Sequence, residues 1–189
     1  RKYMLQVRKP IDKIYKMRDD IDQNGGGVPY CGVAGLRIKK DGALMGSTFK
    51  DKTYVDATSL EREKFNINGD KAEVFFTDIL RKYKFPTFDG ENFVTENVVW
   101  LQMARDGYKI RWYNEPIYVC EYLEGGLTDL NKKNLLKNFY GDIYTNNLYI
   151  KLYGYPLLMR IRIYGCAYEK YKIDKDLKKL KYILDTFGI

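Results

Sequence analysis

Residues 96–105 place apolar side chains on nearly every side of a helix: Val98, Val99, Trp100, Leu101, Met103 and Ala104. A helix with no face to give to water must be buried, and Asp106-Gly107 ends this one. Around it lie segments of strand character. Residues 31–38 form a short apolar run bounded by turn residues. Lys40-Asp41-Gly42 is a hairpin-type turn, from which 43–49 is expected to return as a second strand. Residues 72–76 read as a further strand, followed by a short helix over 77–83 with Thr77 as its N-cap. Residues 108–122 alternate and are rich in aromatics, and Asn114-Glu115-Pro116 divides them into two strand pieces. The stretch 50–69 reads as polar and irregular, and 84–94 as a loop.

The two ends are helical. Over 11–23, Ile11, Ile14, Tyr15, Met17 and Ile21 supply the apolar positions of an amphipathic helix, which Asn24-Gly25-Gly26-Gly27 stops. From about Leu130 strand signals fade and Lys, Tyr and Leu dominate. Leu135, Leu136, Phe139 and Ile143 suit one helix, 157–168 a second, and Leu177, Leu180, Leu184 and Phe187 a third packed through those positions. The expected organisation is α/β over 1–128, followed by a basic helical extension over 129–189.

Composition narrows the chemistry. With 31% charged and 45% apolar residues the chain reads as globular. No run is long enough to span a membrane, and no signal peptide is visible behind Arg1-Lys2-Tyr3. The missing initiator Met suggests a piece of a longer protein. Cys31, Cys120 and Cys166 are odd in number and far apart. They read as buried small hydrophobes in a reducing, cytoplasmic compartment. Histidine is absent, so no Ser-His-Asp or Cys-His nucleophile and no ordinary His-ligated zinc can be built. A carboxylate is then the best-placed base at neutral pH, because it is ionised without tuning. The net charge is +8, and residues 151–189 carry nine Lys/Arg against four Asp/Glu.

The densest group of suggestive residues is Asp70, Asp89, Glu91 and Glu96. Glu96 opens the buried helix, where a carboxylate gains from the helix dipole. It is either a base at a cleft or a first-turn acid that steadies its helix. Glu91 either meets substrate or caps and decorates a loop, and Asp70 either orients a substrate hydroxyl or closes a turn. Trp100 and Trp112 offer flat faces to a sugar ring, or belong to the core.

In order along the chain stand Gly69-Asp70-Lys71-Ala72-Glu73-Val74-Phe75, Phe85-Pro86, Gly90-Glu91-Asn92-Phe93-Val94-Thr95-Glu96, Trp100 and Gly107-Tyr108-Lys109-Ile110. Asn114-Glu115-Pro116-Ile117-Tyr118 and Glu121-Tyr122-Leu123-Glu124-Gly125-Gly126-Leu127-Thr128 follow. Together these resemble family 2 glycosyltransferases of bacterial capsule and cell-surface polysaccharide synthesis, over roughly 31–128. The resemblance implies a partial GT-A-like mixed sheet flanked by helices and an inverting sugar transfer. The implied partners are a nucleotide-sugar donor and a glycan or lipid-linked acceptor, and nucleic acid is not among them. In that family the second residue of a Glu-Asp pair at the tip of the acceptor-side helix is the base. Glu96 takes that place here, with Thr95 before it. Asp70, Glu91 and Trp100 would bind substrate, and the segment holding Tyr122, Gly125, Gly126 and Thr128 resembles one that closes over donor diphosphate or acceptor. The family's Mg2+ or Mn2+ sits on a strand-end Asp-x-Asp in the nucleotide-binding half. Asp20-Ile21-Asp22 and Asp174-Lys175-Asp176 are expected to be decoys, with the cation's ligands outside this chain. The basic tail is expected either to cap the domain or to touch the inner membrane surface. The rival reading is a non-catalytic interaction or nucleic-acid-binding module.

Overall fold

The computed structural model describes residues 2–120 and 137–188. The protein is α/β, with a mixed sheet of five strands and, among the described residues, six α-helices. The chain divides into two compact units, Arg1–Lys84 with Leu101–Tyr122, and Phe85–Trp100 with Leu123–Ile189.

In the first unit, helix α1 (Lys2–Asn24) precedes strand β1 (Tyr30–Ile38). The hairpin turn forms as read: the Lys39 amide donates to the Ala43 carbonyl and the Gly42 amide to that of Lys39. The return strand β2 is only Leu44–Met45, however, because Gly46 turns the backbone out of extended geometry with φ of 97°. Strand β3 (Tyr54–Ala57) lies inside the stretch expected to be irregular. It was hidden by its length of four residues, and pairing with a distant strand holds it. Strand β4 (Lys71–Phe75) leads into a one-turn helix, α2 (Thr77–Leu80), whose N-cap is Phe76 and not Thr77.

Strand β5 (Lys109–Val119) is continuous where two pieces were expected. It runs parallel to β1, and Asn114-Glu115-Pro116 is absorbed as a register irregularity: Ala34 faces Trp112, while Leu36 faces Pro116. An extra-residue bulge bends a strand without ending it. Its backbone comes so close that a Cβ on Gly35 would lie 2.6 Å from the Glu115 carbonyl oxygen. β1 also pairs antiparallel with β4 and β2, and β5 pairs antiparallel with β3. Helix α1 packs on this sheet through Met17 and Ile21, which join Tyr30, Val33, Ala72, Tyr113 and Ile117 in one core, with Ile14 against it. Burying each such side chain stabilises by about 1.5–3 kcal/mol. Ile11 and Tyr15 are exposed, so the apolar stripe is narrower than the sequence reading gave it.

Helix α3 (Asn97–Arg105) is buried as expected, with Val98, Val99, Leu101, Met103 and Ala104 out of water. Its first turn belongs to the second unit. The rest of that unit contains α4 (Phe139–Tyr153), α5 (Leu157–Asp174) and α6 (Leu177–Phe187). Phe139, Ile143, Ala167 and Ile183 form their core, supported by Tyr140, Tyr171, Tyr182 and Phe187. Leu177 and Leu184, expected to pack, are exposed. Ile183, about 100° round the helix from Leu184, takes the inner position. Leu135 and Leu136 lie outside the described residues.

Candidate functional site

Glu96 is exposed at the start of α3. Its carbonyl accepts from the amides of Val99 at 3.0 Å and Trp100 at 3.3 Å, so the main chain is fixed by the first helical turn. Its carboxylate has no hydrogen bond or ion pair with another described residue. Next to it, the Asn97 amide side chain donates to the Tyr149 hydroxyl at 2.9 Å. Trp100, one turn further on, is half-buried and meets Phe85 edge to face at 6.1 Å.

Glu91 is committed to a helix end. Its two carboxylate oxygens accept from the backbone amides of Tyr140 at 2.6 Å and Gly141 at 2.8 Å. These are among the first amides of α4, which have no partner within the helix. Asn138, the N-cap residue, makes no side-chain cap, so Glu91 supplies from a distant loop both the acceptors and the negative charge that a helix N-terminus favours. Phe88 packs on Tyr144 of the same helix, with ring centroids 5.8 Å apart.

Asp70 lies in the first unit, exposed and just before β4. The turn it sits in is held by Arg62, which donates to the carbonyls of Ile67 at 3.1 Å and Gly69 at 2.6 Å. Glu91, Glu96 and Trp100 belong to the second unit. Tyr122, Gly125, Gly126 and Thr128 lie outside the described residues.

Trp112 is core. It is almost fully buried, and its indole N–H donates to the Ala57 carbonyl at 2.9 Å. Of the cysteines only Cys31 is buried; Cys120 is half-buried and Cys166 exposed.

A charge cluster centred on a buried arginine stands in the first unit, with no local sign in the sequence. Arg111 is 1% exposed. Its Nε and Nη2 donate to the two oxygens of Asp56 at 2.8 and 2.9 Å, and Nη1 donates to Asp20 at 2.8 Å. Nη2 also reaches the Tyr30 hydroxyl at 3.1 Å, and the guanidinium lies 4.0 Å from the Tyr54 ring centroid. The Tyr113 hydroxyl donates to Asp20 at 2.7 Å. That bond is the main reason the Asp20 carboxyl sits below its ordinary pKa, with partial burial opposing it and Asn24 and Arg111 assisting. Burial, and then the hydrogen bond to Asp20, push the Tyr113 hydroxyl up. Only the register Asp56 opposite Arg111 could have signalled the pair, and register is not visible before strands are paired. A second ionic group joins Glu73 to Arg37 and Arg62, each at 3.9 Å. Burial raises the Glu73 carboxyl, with the arginines opposing.

Neither Asp20 nor Asp174 is free to hold a divalent cation. Asp20 is bound by Arg111, Tyr113 and Asn24, and Asp174 is paired with Lys179. Among the described residues no three Cys, Asp or Glu side chains are grouped to hold a metal. Compared with protein-family models, curated proteins and solved structures, the chain matches none.

Proposed function

We propose that this chain is the acceptor-side portion of an inverting, GT-A-type glycosyltransferase of family 2, with Glu96 as the base. One observation carries the reading. An exposed carboxylate without a partner among the described residues stands immediately before the first turn of a buried helix. A base needs a fixed main chain and an open side chain, and a carboxylate in this position has both. Trp100 supports the reading, because residues four apart share a helix face. A half-buried indole on that face suits the C–H surface of a sugar. The ordered motifs from Gly69 to Thr128 supply the family, and the mixed α/β sheet is compatible with it.

In the proposed reaction Glu96 takes the proton of an acceptor hydroxyl. The oxygen forms its new bond to the anomeric carbon as the bond to the nucleoside diphosphate breaks on the opposite face. The configuration therefore inverts, and the leaving group departs with the bonding pair. Residues that bind the nucleotide are assigned to the remainder of the enzyme. Glu96→Gln keeps the shape and removes the basicity. In the full-length enzyme it is expected to lower kcat by about 10²–10⁴-fold. Turnover at the parent rate removes Glu96 from the reaction.

A further inference from the structure

The corner where α4 passes into α5 leaves large apolar side chains in water. Leu157 is 67% exposed, Leu158 82% and Ile161 54%, with Met159 and Tyr153 also open to solvent. Single exposed leucines are ordinary on a protein surface, whereas a contiguous group marks a contact. These residues are close in sequence: Leu157 and Ile161 are one turn apart on α5, and Leu158 lies on the face away from the buried Ala167.

Charge selects the occupant. From Ile143 to Tyr168 the chain contains no Asp or Glu, while Lys151, Arg160 and Arg162 all fall within it. Lys151, Arg160 and Arg162 are exposed. A second copy docked here would set these cations against one another with no acid from the same patch to pair them. An anionic lipid surface accepts both halves of the pattern. The leucines enter the acyl boundary, and the long arginine and lysine side chains reach back to phosphate. Tyr149, Tyr153 and Tyr155 line up ring against ring at the same corner, with centroids 5.8 and 5.5 Å apart. Such rings suit the headgroup layer, apolar at one end and wet at the other. Leu158, Met159 and Arg162 also line an open groove of about 510 Å³ with Asn146, Ile163 and Cys166. Among the described residues no helix is long and apolar enough to cross a membrane, so the contact lies on the surface.

We propose that the α4–α5 corner, from Tyr153 to Arg162, is a docking surface for an anionic phospholipid bilayer. The inference stands independently of the transferase reading. The test is co-sedimentation of the chain with vesicles of phosphatidylcholine alone, and with vesicles in which about one third is replaced by phosphatidylglycerol. Binding is expected to the anionic vesicles and to weaken sharply from about 0.1 M to about 1 M salt, as the screening length falls from about 10 to about 3 Å. Arg160→Gln with Arg162→Gln is expected to weaken it about 25-fold, at roughly fivefold for each cation. Leu158→Asp or Ile161→Asp is expected to cost at least about tenfold each. Both side chains are exposed, so circular dichroism and thermal unfolding stay at parent values. Leu177→Asp alters an equally exposed leucine, at the start of α6, and is expected to bind like the parent. No binding to anionic vesicles overturns the proposal, as does an equal loss in Leu177→Asp. A dimer that dissociates on Leu158→Asp and ignores vesicles also overturns it, and assigns the face to a second copy.

Discussion

Arg111 and Asp56 face each other across the β3–β5 pair, and the guanidinium meets both carboxylate oxygens in a fork at 2.8 and 2.9 Å. Two parallel bonds fix direction as well as distance, so the short strand β3 is held at a single register. Removing the cation leaves Asp56 and Asp20, both half-buried, without the counter-charge they share. Arg111→Leu is therefore expected to cost about 1–3 kcal/mol in urea unfolding, chiefly through the charge-assisted hydrogen bonds lost. Arg111→Lys keeps the charge and loses the fork, and is expected to recover only part of that. A loss below about 1 kcal/mol for Arg111→Leu would show that the apolar replacement packs as well as the ion.

Acid acts on the same cluster through Asp20. Its carboxyl is held below the ordinary 3.8, chiefly by the Tyr113 hydroxyl. The unfolded chain then takes up this proton at higher pH than the folded one. The stabilisation is present above pH 3.8 and is lost as pH falls below that value toward the folded pKa. Asp20→Asn is expected to lower stability at pH 7 and to flatten its decline between about pH 5 and pH 2. Chemical denaturation at several pH values measures both, and a parallel decline in parent and variant removes Asp20 as the source.

Glu91 is expected to behave as a cap. Glu91→Ala strips two amides of their acceptors and is expected to destabilise by about 1–2 kcal/mol. Thermal unfolding followed by helical circular dichroism reads this loss. If the proposed transferase reading holds, KM for the acceptor in the full-length protein is expected to stay near the parent value below the unfolding transition. A raised KM in a fully folded variant would return Glu91 to the substrate.

The thiols divide by burial. Cys31 is 1% exposed, and burial pushes its pKa up to about 12, so it carries almost no thiolate at neutral pH. Cys166 is exposed. A thiol reagent is expected to give one fast phase that Cys166→Ser removes. Cys31 is expected to react only in denaturant, and fast labelling of Cys31 in the folded chain would contradict its burial.

What could be read from the sequence was what local pattern determines. The buried helix α3 has apolar side chains in every direction, and β1 is a bounded apolar run; neither needs a partner to be recognised. The elements misread depend on distant partners. β3 is four residues long and exists through β5, and Pro116 interrupts a local pattern while the parallel neighbour β1 carries the strand past it. Leu177 and Leu184 keep helical spacing, yet Ile183 between them faces the core. Among the candidate site residues, the place of Glu96 at a helix start was legible because a helix start is a local event. The capping role of Glu91 was open in the sequence, and its partners, Tyr140 and Gly141, stand 49 and 50 residues away. Arg111 carried no signal, since an arginine within an aromatic strand looks the same whether it is paired inside or solvated outside.

The second unit is assembled from two separate stretches of chain, and the clasp between Glu91 and the first turn of α4 joins them. The C-terminal helices are consequently not a portable cassette. Cut free after residue 122, they would leave behind the acidic clasp, the Asn97 contact to Tyr149 and the Phe88 ring against Tyr144. Recombination or gene splitting at that point would yield a bundle with a frayed leading end.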